Sequence, residues 1–273
     1  MKLTAIIMDT FREALARKTI IGFFALSTLL LIIALVFFLT GKDFLLQQQQ
    51  QLAQGFKTVN TMDEIVKGIE AVIARALYAP AIILSIFATA SIIPNMLEKG
   101  SIDLLLSKPI SRAEIIFGKI AGATIIVFLN VSYYISGMWL IISVTMGVWD
   151  PGLLTSIFLI TYAYIVLFAI AVIIGVTARS SALAILTVYF LFIILIPILT
   201  SREMVLFTFI ENKVAQGVIT TLYYILPKTD DLANISSGII MRQPVDLMPI
   251  WSSGVCALVL FAGSIYIFQK KDF

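Results

Sequence analysis

The sequence has no histidine, one cysteine and few charges: Asp, Glu, Lys and Arg together make up 13% of its 273 residues. Without histidine it lacks the commonest metal ligand and the side chain best suited to act as a base near neutral pH. Cys256 stands alone, so no intrachain disulfide can form. There is no G-x-x-x-x-G-K-[ST] phosphate loop; Gly118-Lys119 lies in IFGKIAG, which lacks both the upstream glycine spacing and the following Ser/Thr. No H-E-x-x-H and no serine beside a base occur, which weighs against an integral membrane enzyme. The formal net charge of +3 is too small to suggest a nucleic-acid partner.

What the chain does have is apolar length. Hydrophobic residues are 60% of the total and the mean hydropathy is +1.03, far above the composition of a soluble domain. A helix needs about 20 apolar residues to cross a bilayer. Spans are expected near 20–40, 77–97, 120–146, 153–177, 182–200 and 251–268, giving an all-α, polytopic membrane protein of one transmembrane domain over 1–273. The first run follows nineteen residues that include Asp9 and Glu13, so it reads as a span and not as a cleaved signal. With these boundaries no charge falls well inside a span, which argues against an ion-coupled carrier.

The charges that exist are unevenly placed. Eleven of the 19 Lys and Arg fall in the short segments 1–19, 98–119, 178–181 and 269–273, and eight in the longer segments 41–76 and 201–250. That bias places both termini in the cytoplasm. Residues 204–226 are apolar at both ends but carry Glu211, Asn212 and Lys213 in the middle, so they are expected to form two half-helices, re-entrant or interfacial, on the outer face. Asp230 and Asp231 are expected in a solvated turn, and the glutamines at 47–51 in an exposed helix.

Three segments carry function candidates. At 100° per residue, Leu3, Ile6, Ile7, Thr10, Phe11, Ala14 and Leu15 share one half of a helix, opposite Lys2, Asp9, Arg12 and Glu13, the pattern of an N-terminal interfacial helix. Within 98–119, Gly100-Ser101 ends one helix and opens a short one over 102–107, which Pro109 terminates. Ser111 and Glu114 then form a capping-box pattern for the third span. Leu104, Leu105 and Leu106 on this loop call for a covering partner. Ser, Thr, Asn and Tyr enter the spans, and helix–helix hydrogen bonding accounts for most of them. Gly118-x-x-x-Gly122 permits close helix approach, and Pro94 and Pro197 are expected to kink the second and fifth spans.

The stretch from Glu98 to Lys119, with its pattern E-x-G-S-x-D-x-L-L-S-x-P-I-S-R…G-K, resembles the membrane subunits of ABC-2 type exporters. Within that family its shape is closest to the single-domain permeases of copper-enzyme maturation and gliding-type export. The resemblance implies an interfacial helix, six spans, and a coupling helix between spans two and three that rests on a separate ATPase. Glu98, Gly100, Asp103, Leu105, Pro109 and Arg112 are then the ATPase-coupling candidates. It also implies a second permease copy, homodimeric or heterodimeric, with spans two and five at the shared axis and Thr89 and Tyr189 as candidate pathway lining. No cofactor is expected on this chain, since ATP would sit on the partner. The other partners would be membrane lipids, and the location the cytoplasmic (inner) membrane. A stand-alone carrier or channel is the alternative.

Overall fold

The computed structural model describes residues 2–16, 18–55, 62–97, 110–210 and 212–271, and among them it holds helices and turns but no strand. Helix α1 is Lys2–Ala16 and α2 is Thr19–Gly55, with Lys18 in the left-handed region (φ 58°) turning the chain between them. At 1.5 Å per residue, the 37 residues of α2 extend about 55 Å, nearly twice the hydrocarbon thickness. Its apolar part is Thr19–Gly41; the remainder, with the glutamines at 47–51, continues beyond. Helix α3, Met62–Thr89, likewise begins well before the apolar run expected at 77.

Prolines mark the breaks. Helix α3 stops at Thr89 and a short α4, Ile92–Met96, follows. The proline ring at 94 opposes the carbonyl of residue 90, four residues back, and the interruption sits there. Helix α5, Arg112–Met146, opens with the complete capping box: the Ser111 hydroxyl accepts from the Glu114 amide and the Glu114 carboxylate accepts from the Ser111 amide. It closes on Gly147 at φ 73°, a left-handed C-cap that glycine adopts without a Cβ penalty. A 3₁₀ turn, Pro151–Leu154, capped by the Asp150 side chain, leads into α6, Thr155–Ala178. Arg179, also left-handed, ends α6. Helix α7, Ser181–Tyr189, runs into a π-helical segment, Phe190–Leu195, and then α8, Ile196–Thr200. Residue 193, the carbonyl that Pro197 would meet, lies inside the π segment, which absorbs the clash as a local widening.

Among the described residues, six stretches are long and apolar enough to cross a membrane: Thr19–Gly41, Glu64–Met96, Arg112–Met146, Pro151–Ala178, Ser181–Thr200 and Met248–Lys270. Helix α6 is apolar on every side and buried along most of its length, so it is the centre of the bundle. The first and last spans lie at the periphery and leave most of their side chains for lipid.

The segment 201–250 departs from expectation in one respect. A short α9, Leu206–Phe209, does end before α10, Lys213–Ile225, begins, with the Asn212 side chain accepting from the Val214 amide. Asp230 and Asp231, however, do not lie in a solvated turn. They form the first turn of α11, Thr229–Ile240, which buries Leu232, Ile235, Ser236 and Ile240 against α3 and α6. Acidic residues complement a helix N-terminus, and the burial period of three to four supplies the rest. The last helix is α12, Met248–Lys270.

Candidate functional site

Contacts divide the molecule into two rims. On the first rim lie α1, the end of α4, the start of α5, the turn at 179–180 and the end of α12. Residues 98–109 join α4 to α5 here but lie outside the described residues, and with them Glu98, Gly100, Asp103, Leu105 and Pro109. Both flanks are firmly held. Met96 and Leu97 are buried, and Pro94 packs so closely on Gly175 of α6 that a Cβ there would come within 3.2 Å of the ring. On the other flank, a guanidinium nitrogen of Arg112 donates to the carbonyls of Phe268, Gln269 and Lys271 at 3.4, 3.2 and 2.7 Å. Lys271 in turn donates to the carbonyls of Val176 and Thr177 at 2.8 and 3.0 Å. Helix ends leave four carbonyls without intrahelical partners, so Arg112 closes α12 and Lys271 closes α6. Arg112 thus braces the frame around the loop.

Helix α1 is clamped to α5. Ile6, Thr10 and Ala14 are buried at i+4 spacing, while Met8 and Leu15 remain exposed. A Cβ at Gly118 would stand 2.6 Å from Ile6 Cγ2, and one at Gly122 2.7 Å from Thr10 Cβ. Only glycine allows this approach. Between the two glycines, Lys119 is 2% exposed and its ammonium meets Asp9 at 2.9 Å and Glu13 at 2.8 Å. Both acids of α1, placed by the sequence on the polar half of the helix, therefore face α5.

The pathway candidates are placed inside the protomer. Thr89 is buried; its hydroxyl donates to the Ser85 carbonyl at 2.7 Å and accepts from the Tyr164 hydroxyl at 2.9 Å. Tyr189 is half-buried and donates to the Ile83 carbonyl at 2.7 Å, tying α7 to α3. Phe87 of the second span and Leu186, Phe190 and Ile193 of the fifth are among the apolar side chains that reach outward. Asn130 accepts from Ser27 at 3.0 Å and joins α5 to α2, the helix–helix role expected of it.

The second rim carries charge that the sequence reading left outside the membrane. Glu70, on α3, is fully buried and neither carboxylate oxygen has a hydrogen-bond partner. Near it, Asp150 meets Lys67 at 3.6 Å and Arg242 at 3.8 Å. Arg75 binds Asn234 and pairs with Asp230 at 3.4 Å, and Tyr78 donates to the Thr229 carbonyl at 2.7 Å, so α3 holds α11 at three points. Asp231 accepts from the Tyr223 hydroxyl at 2.7 Å; burial and that carboxylate push the Tyr223 hydroxyl up to about 12. Among the described residues no three His, Cys, Asp or Glu side chains are grouped to hold a metal ion.

A family model for ABC-2 family transporter proteins matches residues 4–273. The chain belongs to that family. No curated protein matches it. It is thus a membrane permease component of an ABC transporter, and the six apolar helices are those of a multi-pass transport subunit.

Set against this ABC-2 permease, the sequence reading missed Glu70 and the Lys119 pairing. Val66, Glu70, Ala74, Tyr78, Ile82 and Ile86 recur every four residues and are all buried, so the signal for Glu70 was its place in an otherwise apolar and aromatic row. For Lys119 the signal was its position between Gly118 and Gly122, where a helix passing over the glycines must also meet the lysine.

Proposed function

We propose that this permease moves its substrate outward under the action of a separate ATPase, which docks on the first rim through residues 98–114. The observation that carries this reading is the braced frame around that loop. One flank is locked to α6 through Pro94 and Gly175, and the other to α12 through Arg112. A displacement of the loop would therefore pass to α3, α5, α6 and α12 together, which is what a lever driven from outside the membrane requires. The clamped α1 lies on the same rim and supplies a second surface for the ATPase. The Lys and Arg bias puts this rim, and both termini, in the cytoplasm. The chain itself contributes no catalysis in this reading; ATP is bound and split on the partner.

Two permease copies form the pathway, with the second and fifth spans at their shared axis. The outward-facing Phe87, Leu186, Phe190 and Ile193 suit a face that meets another apolar surface. Tyr189 and Thr89 lie just behind that face, and lining the route with them requires breaking the Tyr164 and Ile83 contacts. The π segment is the natural place for that change, since its backbone already departs from the regular helix. The test of the docking assignment is Leu105→Asp. It should abolish co-purification with the ATPase while the permease still inserts; an unchanged complex with unchanged ATP hydrolysis would refute it.

A further inference from the structure

On the second rim, α10, α11, the turn at 243–247 and the start of α12 border an open cavity of about 400 Å³. Its wall combines two cations with two tyrosines. The Arg202 guanidinium lies 3.7 Å over the Tyr223 ring, and the Lys228 ammonium stands 4.7 and 4.6 Å from the ring centres of Tyr223 and Tyr224. Lys228 is only 3% exposed, yet no carboxylate lies within ion-pair distance of it among the described residues. Its backbone amide donates to the Ser253 hydroxyl at 3.0 Å, which anchors the chain at this position. The two carboxylates lining the cavity, Asp231 and Asp246, keep their charge while accepting from the Tyr223 hydroxyl and, at 2.9 Å, from the Met248 amide; both stand beyond ion-pair distance of Lys228. Burial lowers the affinity of the Lys228 ammonium for its proton; Arg202 acts in the same sense, and Asp231 and Asp246 oppose it. A buried cation whose nearest neighbours are π-faces, with its carboxylates beyond ion-pair distance, is costly unless an anion completes it.

Where the cavity sits identifies the anion. Helix α10, one of its walls, buries none of its residues and leaves Val214, Val218, Leu222 and Ile225 exposed as an apolar stripe. Met204 and Phe209, just before it, are 87% and 83% exposed. A helix with such a stripe lies in the interfacial plane of a bilayer, its apolar face in the acyl region. The geometry points to a phospholipid headgroup site, with the lipid phosphate held by Lys228, Arg202 (paired with Glu203 at 3.3 Å) at its edge, and the acyl chains laid along α10. Tyr224 and Asn234, also on the wall, add hydroxyl and amide groups for the ester and glycerol oxygens. The site goes beyond the transport reading and needs no ATPase; with the termini cytoplasmic it belongs to the outer leaflet.

The test is thermal unfolding of the full chain in detergent micelles, titrated with dihexanoylphosphatidylethanolamine, dihexanoylphosphatidylglycerol, dihexanoylglycerol and inorganic phosphate. Both phospholipids should raise the midpoint saturably, and dihexanoylglycerol should not. Lys228→Gln should weaken phospholipid binding about tenfold or more, the usual size of a lost charge-assisted contact; Lys228→Arg should retain it. Arg202→Gln, whose side chain lies at the cavity edge, gives the second reading should Lys228→Gln fail to fold. Equal stabilisation by dihexanoylglycerol, or wild-type binding in both glutamine variants, would overturn the site. Inorganic phosphate matching the phospholipids would overturn the lipid assignment in favour of a soluble anion.

Discussion

The clamp between α1 and α5 can be dismantled one charge at a time. Lys119 is 2% exposed, whereas the side chains of Asp9 and Glu13 are 55% and 25% exposed. The carboxylates can therefore be hydrated when the lysine is absent, but the lysine cannot be when they are absent. Asp9→Asn alone should cost little, about 1 kcal/mol or less, because that partner is well exposed and Glu13 remains. The double variant Asp9→Asn/Glu13→Gln leaves a buried ammonium without a counter-charge, which costs about 3–5 kcal/mol. Adding Lys119→Met removes the orphaned charge and should recover most of the loss. Hydrogen exchange over residues 3–16 reads the opening of α1 directly. At about 1.4 kcal/mol per decade, the double variant should lose two orders of magnitude or more in protection. Protection unchanged in the double variant, or no recovery in the triple, would refute the clamp.

Gly122→Ala should loosen the same helix without touching any charge, since the new methyl would stand 2.7 Å from Thr10 Cβ. Overpacking of this kind costs about 1–3 kcal/mol, and α1 should again exchange faster. Tyr164→Phe leaves the Thr89 hydroxyl without its buried donor and should lower stability by about 1 kcal/mol, read as a lower unfolding midpoint in detergent. Glu70→Gln removes a buried carboxylate that has no hydrogen-bond partner and should leave ATP-driven transport intact; loss of transport with a correctly folded protein would revive the carrier reading. Single cysteines at 50 and 240 should label from outside on a Cys256→Ser background, and those at 5 and 270 should not. Labelling of 270 from outside would reverse the assignment of the rims.

The sequence made some features legible because their causes are local. The Ser111–Glu114 capping box, the break four residues ahead of Pro94, and the division of 204–226 by polar residues each depend on neighbours within about one turn. The six apolar runs were readable for the same reason. Span limits were not, because α3 and α5 continue as helix through charged turns that hydropathy places outside the membrane. What joins distant segments was hidden: that Lys119 would meet Asp9 and Glu13, that α11 would be buried, and that Thr89 would turn toward Tyr164. An i+4 row shows that a face is covered but not by what. Glu70 shows the limit most sharply, since its row was apolar and its charge alone argued for solvent.

The central claim is that this permease works only with a second permease copy and a separate ATPase bound at residues 98–114. Native mass spectrometry of the tagged chain purified from its own membranes addresses it directly. The predicted species contains two permease chains and two ATPase domains, and Leu105→Asp reduces it to permease alone. A single permease chain that carries no ATPase and still transports after reconstitution would contradict the account.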